Sequence, residues 1–119
     1  MSVLRFVTKK GADIQAIITD LAVLRITVFR AFPYLYDGTL EYEKLYLQTY
    51  INSPKSFLFA VYDQDKMVGA CKCIPLKDET PVVQEPFFKA GMDLSKIFYF
   101  GESILLPEYR GLGLGHRFF

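Results

Sequence analysis

The residues best suited to chemistry lie at Arg110-Gly111-Leu112-Gly113-Leu114-Gly115. Alternating glycines strip side chains from one short turn, so several backbone N–H groups can face a single bound anion. The residues before it, Ile97 to Leu105 (IFYFGESIL), read as a strand, and a helix is expected to begin at Gly113. The positive end of that helix would add to the attraction. Strand, glycine turn and helix start together make a phosphate or pyrophosphate cradle. Two well-known cradles do not fit. A Walker A loop closes on Gly-Lys-Ser/Thr, whereas Gly115 is followed by His116 and Arg117. The dinucleotide fingerprint needs its third glycine where His116 stands.

A second candidate is Glu102, the one carboxylate in the otherwise apolar Ile97–Leu105 strand. Burial there would raise its pKa toward that of a useful general base, with a structural ion pair as the competing reading. Gly101 beside it marks a candidate bulge. His116, the single histidine, falls in the first turn of the last expected helix and reads as an exposed helix residue. Cys71 and Cys73 share one face of an apolar stretch. C-x-C alone supplies neither a four-ligand zinc site nor a disulfide framework, so both read as buried thiols in a reducing compartment, and no metal is expected.

The elements that must position these residues follow from periodicity. Ser2 to Thr8 reads as a first strand. Asp13 offers an N-cap to a helix whose apolar face is Ile14, Ile17, Ile18, Leu21, Leu24, Val28 and Phe32, stopped by Pro33. Tyr34 to Thr39 (PYLYDGT with Pro33) is a loop, and a second helix runs from about Leu40 to Ile51. Its Tyr42, Tyr46 and Tyr50 share a face and read as packing, while Glu41 and Glu43 suit the positive N-terminal end. Ser56 to Tyr62 and Lys66 to Leu76 form a hairpin across Asp63-Gln64-Asp65. A short helix is expected within Thr80 to Gly91. The order β-α-α-β-β-α-β-α, without repeat or linker, predicts a single α/β (α+β) domain over residues 1–119.

The composition is half apolar, and the net charge of +1 comes from interspersed signs, which excludes a nucleic-acid or anionic-membrane footprint. No signal-peptide pattern opens the sequence and no apolar run nears the roughly 20 residues of a membrane span. A soluble, cytoplasmic protein is expected.

Arg110, Gly113 and Gly115 satisfy Arg/Gln-x-x-Gly-x-Gly/Ala after a strand. This resembles the pyrophosphate-binding motif of the GNAT superfamily of acetyl-CoA-dependent N-acetyltransferases. The preceding Leu105-Leu106-Pro107-Glu108-Tyr109 is similar to the family's usual approach to that loop, and Leu24 to Tyr50 resembles a recurrent stretch in one bacterial GNAT group. The resemblance covers nearly the whole chain in the family's element order. It implies a GNAT-like fold, a mostly antiparallel mixed sheet flanked by helices, with acetyl-CoA as cosubstrate and an amine or a protein N-terminus as acceptor.

By that resemblance, the Gly111 to Gly115 backbone, including Leu112, Gly113 and Leu114, holds the pyrophosphate, and Arg110 fixes the loop. The backbone of Ile104, Leu105 and Leu106 pairs with the pantetheine arm. Glu102 is the candidate base, and Tyr34, Tyr36 and Asp37 border the acceptor side. The family's domain continues beyond this point with a further strand, a helix and two more strands. The sequence is therefore expected to be the N-terminal part of a longer protein, or to be completed by a second copy pairing at the Ile97–Leu105 edge. Two other functions compete with the transferase: a CoA-binding or regulatory half-domain without catalysis, and a self-associating interaction domain.

Overall fold

The computed structural model describes residues 4–31 and 34–110. Among these, one sheet of strands β1 (Leu4–Lys10), β2 (Phe57–Asp63), β3 (Lys66–Pro75) and β4 (Phe98–Leu105) runs in that spatial order. Every neighbouring pair is antiparallel. Helices α1 (Ile18–Arg30) and α2 (Leu40–Ile51) lie between β1 and β2 in sequence, and α3 (Pro81–Lys89) lies between β3 and β4. The expected order is present through β4, with all strands antiparallel among the described residues, and the last expected helix, from Gly113, lies outside them.

β1 begins at Leu4 among the described residues and runs on to Lys10, past the expected end at Thr8. The expected capping of the first helix by Asp13 does not occur. Gly11 leaves β1 in the left-handed region at φ +50°, a conformation that favours glycine. Its N–H donates to the Ser56 carbonyl at 3.1 Å and to Ser56 Oγ at 3.2 Å, tying the turn to the start of the hairpin. The chain winds at once into a 3-10 segment, Gly11–Ile17, and Asp13 lies inside it. The α-helix starts only at Ile18, and no side chain caps it. The apolar face expected from the periodicity is nonetheless the buried one: Ile14, Ile18, Leu21 and Leu24 enter the core. α2 starts where expected, with Thr39 Oγ1 accepting from Tyr42 N–H at 3.2 Å.

β3 is the centre of the molecule, buried on both faces from Met67 to Pro75. Leu58, Ala60, Val61, Val68, Ala70 and Ile74 join one core cluster there with Leu21 and Leu24 of α1 and Leu47 of α2. α3, by contrast, has no fully buried residue; it begins on Pro81 and carries an exposed Lys89–Glu85 pair at 2.8 Å.

β4 carries the irregularity that matters most for the site. Lys72 opposes Glu102, but Cys73 opposes Phe100, so Gly101 is an extra residue with no partner across the ladder. Side chains alternate faces along a strand, so Phe100 and Glu102 would share a face in an unbroken ladder. The bulge at Gly101 turns them to opposite faces. Glu102 thereby joins Lys72 on the α1/α2 side, and Phe100 is left exposed with Phe98 on the other. A Cβ at Gly101 would overlap the Tyr50 hydroxyl, so the bulge and α2 are fitted to each other through this glycine.

Candidate functional site

Beside the bulge lies a set of charges that a hydrophobic core rarely admits. Glu43 is fully buried on α2, and Lys72 is 2% exposed on β3. Arg25, on the buried side of α1, joins them to β4. Its Nε–H donates to Glu43 Oε2 at 2.9 Å, and its Nη1–H donates to Glu102 Oε2. Burial works against the Arg25 charge, but the Glu102 and Glu43 carboxylates outweigh it and hold the guanidinium firmly protonated. Glu43, in the first turn of α2 as expected, also anchors α1 to α2 through this pair. Its second oxygen, Oε1, is closed off from solvent with no hydrogen-bond partner of good geometry, beside the equally enclosed Tyr36 hydroxyl.

The tyrosines of α2 link this triad to Lys72. The Arg25 guanidinium lies 4.7 Å from the Tyr46 ring centre and 5.2 Å from that of Phe29. Lys72 Nζ donates to the Tyr46 hydroxyl at 3.1 Å and sits 4.4 Å from the centres of both the Tyr46 and Tyr50 rings. Burial pushes the Lys72 ammonium down to about 8; Glu102 opposes that fall and Arg25 adds to it. Burial raises Tyr46 and Tyr50, and Glu79, which accepts from the Tyr50 hydroxyl at 3.4 Å, raises Tyr50 further.

In front of this cluster opens a cavity of about 350 Å³ between α1, the loop after it and α2. Its lining is Arg25, Phe29, Tyr34, Tyr36, Tyr42 and Tyr46. Of the loop residues expected to border an acceptor, Tyr34 and Tyr36 line the cavity. Asp37 does not: it lies outside, exposed, 3.9 Å from Arg30. The stripe expected only to pack is divided in the same way, with Tyr50 in the core and Tyr42 and Tyr46 in the cavity wall.

At the end of β4, Ile104 and Leu106 are buried and Leu105 is half-buried. Leu106 N–H donates to the Val68 carbonyl at 2.9 Å, which extends the ladder one step past the strand. Leu106 also lines a second cavity, of about 300 Å³, with Val23, Leu24, Thr27 and Met67. Arg110, after the turn Pro107–Tyr109, folds back so that its Nε–H donates to the Leu105 carbonyl at 3.1 Å. The expected cradle residues Gly111, Leu112, Gly113, Leu114 and Gly115, with His116, lie outside the described residues. Cys71 and Cys73 are buried and free, 4.0 Å apart at sulfur, and no metal-holding group of side chains occurs among the described residues.

Arg25 and Lys72 were not singled out from the sequence, and Glu43 was read only as suiting the start of α2, yet the spacing of the two helix residues carries a signal. Arg25 stands four residues after Leu21 and Glu43 four before Leu47, each a position on the helix face that is buried. A charge at core spacing on two successive helices calls for a partner between them.

No family model matches the sequence, and no curated protein matches it. Among solved structures, the chain is similar to AAC(6')-Iy in complex with the bisubstrate analogue CoA-S-monomethyl-acetylneamine, at 13% identity and a TM-score of 0.58, over 98% of this chain and 67% of that one. It is equally similar to the aminoglycoside N-acetyltransferase AAC(6')-Iy in complex with CoA, again at 13% identity and a TM-score of 0.58, over 99% of this chain and 65% of that one. The chain thus spans about two thirds of the length of these neighbours. The likeness is one of fold: the chain has a GNAT-like fold over most of its length.

Proposed function

We propose that the chain is an acetyl-CoA-dependent N-acetyltransferase that passes acetyl directly to an amine. The observation that carries this reading is the bulge at Gly101, which turns Glu102 onto Arg25, a residue of the aromatic cavity's lining, on the strand that precedes Arg110. The fold likeness to CoA-bound acetyltransferases supports it.

The residues present suit the cosubstrate. Among the described residues β4 pairs only with β3; Leu106 N–H turns inward to Val68, so within Ile104 to Leu106 it is the Leu105 backbone that faces the outer edge, toward the amides of a pantetheine arm. Arg110, bonded to the Leu105 carbonyl, is itself tied to the strand end. When bound there, acetyl-CoA supplies an activated acyl group. The chain's own work is to seat the acceptor and to manage its proton. An aliphatic amine is protonated at neutral pH and must lose a proton before it can attack. Glu102, held behind Arg25, takes that proton through a water, and Arg25 fixes the position of its carboxylate. Backbone N–H groups beside the bulge serve the carbonyl oxygen as it gains negative charge.

Calorimetric titration of the full chain with acetyl-CoA tests the reading. We expect saturable heat that disappears in Gly113→Phe and Gly115→Phe. Glu102→Gln should keep that heat and lower kcat by about 10²–10⁴-fold. Absence of any acetyl-CoA heat in the parent chain overturns the proposal. A second reading, a CoA-binding module without chemistry, is favoured by one observation: the Glu102 carboxylate is already engaged by Arg25. Saturable acetyl-CoA heat with no release of CoA thiol across an amine panel would select it.

A further inference from the structure

The aromatic cavity contains more information about the acceptor than the fold does. Five of its six lining residues are aromatic: Phe29, Tyr34, Tyr36, Tyr42 and Tyr46. Phe29 and Tyr34 meet edge to face at 5.1 Å, and Tyr36 and Tyr42 stand tilted at 6.5 Å. Rings held at such angles leave a slot whose walls suit another flat ring by offset or edge contact. A volume of about 350 Å³ is at the small end for a ligand site and suits one ring with a short chain.

The charges point the same way. The one charged residue in the lining among the described residues, Arg25, is a cation, and it covers Phe29 and Tyr46. The two nearest carboxylates are behind it and committed to it: Glu43 Oε2 and Glu102 Oε2 both accept from Arg25. The remaining oxygen of Glu43 is shut away from the cavity beside the Tyr36 hydroxyl. A ligand with several ammonium groups would bring its extra positive charges against a guanidinium, and among the described residues no open carboxylate lines the cavity to receive them. Such a ligand would lose hydration without replacing it.

We infer that this cavity takes a primary amine carried on a flat aromatic ring, and that it discriminates against polycationic acceptors such as polyamines and aminoglycosides. The inference rests on the transferase reading only for what happens to the amine after it binds. The ring sits among Tyr34, Tyr36 and Tyr42, the faces that Arg25 leaves open. The short chain then points the amine along Arg25 toward Glu102, the residue to which Arg25 is tied.

Titration of the full chain with phenethylamine, spermidine and neamine, each without acetyl-CoA, tests the slot apart from the reaction. We expect phenethylamine to bind saturably and at least about tenfold more tightly than either polycation. Tyr42→Phe should keep that affinity, while Tyr42→Ala and, as an independent loop variant, Tyr34→Ala should each weaken it about fivefold or more. Equal or tighter binding of spermidine or neamine overturns the inference, as does unchanged phenethylamine affinity in both alanine variants. The two proposals fail separately. Phenethylamine binding with no acetyl-CoA heat leaves the slot standing and removes the transferase. Preferential acetylation of spermidine or neamine leaves the transferase standing and removes the slot.

Discussion

Lys72 carries an ammonium into the middle of a sheet that is otherwise built from Ala70, Cys71, Cys73 and Ile74. The groups facing it are Glu102 from β4, Tyr46 and Tyr50 from α2, Arg25 from α1 and, farther off, Glu43 and Glu79. Because the native pKa is about 8 and the ordinary value is 10.5, the unfolded chain holds more protons between those two values. Stability therefore rises as pH climbs from about 8, up to a total on the order of 3 kcal/mol. Tyr46, Tyr50 and Tyr62 are shifted upward, so they hold their protons in the native state after the unfolded chain has lost them. Their effect has the opposite sign and begins near pH 10. Urea unfolding across this range should show a maximum close to pH 10, and Lys72→Met should flatten the rise below it. A rise of the same size in the Lys72→Met protein would assign it to other groups. Arg25→Met makes a second case. It leaves Glu43, fully buried, without its cation, and should cost about 3–5 kcal/mol at neutral pH by the same measurement.

At the scale of elements, the fit of α2 to β4 depends on a missing atom. Gly101→Ala would force its new methyl into the Tyr50 hydroxyl, with the next ring atom at a tight but tolerable 3.3 Å. We expect a loss of about 1–3 kcal/mol, of which Tyr50→Phe in the same chain recovers most. A double-mutant cycle by chemical denaturation measures the recovery; simple additivity would show that the hydroxyl is not the obstacle. The elements themselves were largely legible beforehand. The α2 helix, the hairpin and the β4 strand fall within a residue or two of where period and turn residues put them. Gly101 was readable as a bulge because a glycine in an aromatic strand has no other evident use. The 3-10 start of α1 was not readable, since it depends on Gly11 reaching Ser56, a contact made across 45 residues. The ion-pair cluster was missed for a related reason: helical spacing shows which face is buried, but the partners come from separate elements.

Across the whole molecule, the described residues form a sheet with two helices on the side to which the bulge turns Glu102, and no helix among them is long and apolar enough to cross a membrane. If acetyl-CoA binds the native chain and not the unfolded one, a hundredfold excess over Kd should add about 2.7 kcal/mol to its stability. Thermal melts with and without acetyl-CoA check this, and Gly113→Phe should abolish the gain. The cavity wall has a further use that follows from composition. The sequence holds eight tyrosines and no tryptophan, so its near-ultraviolet emission comes from tyrosine alone. Four of those eight, Tyr34, Tyr36, Tyr42 and Tyr46, line one cavity, and Tyr46 lies against both Arg25 and Lys72. Half of the protein's tyrosine fluorophores therefore stand at the candidate acceptor site. A molecule entering there would report its own arrival as a change in emission, with no label attached.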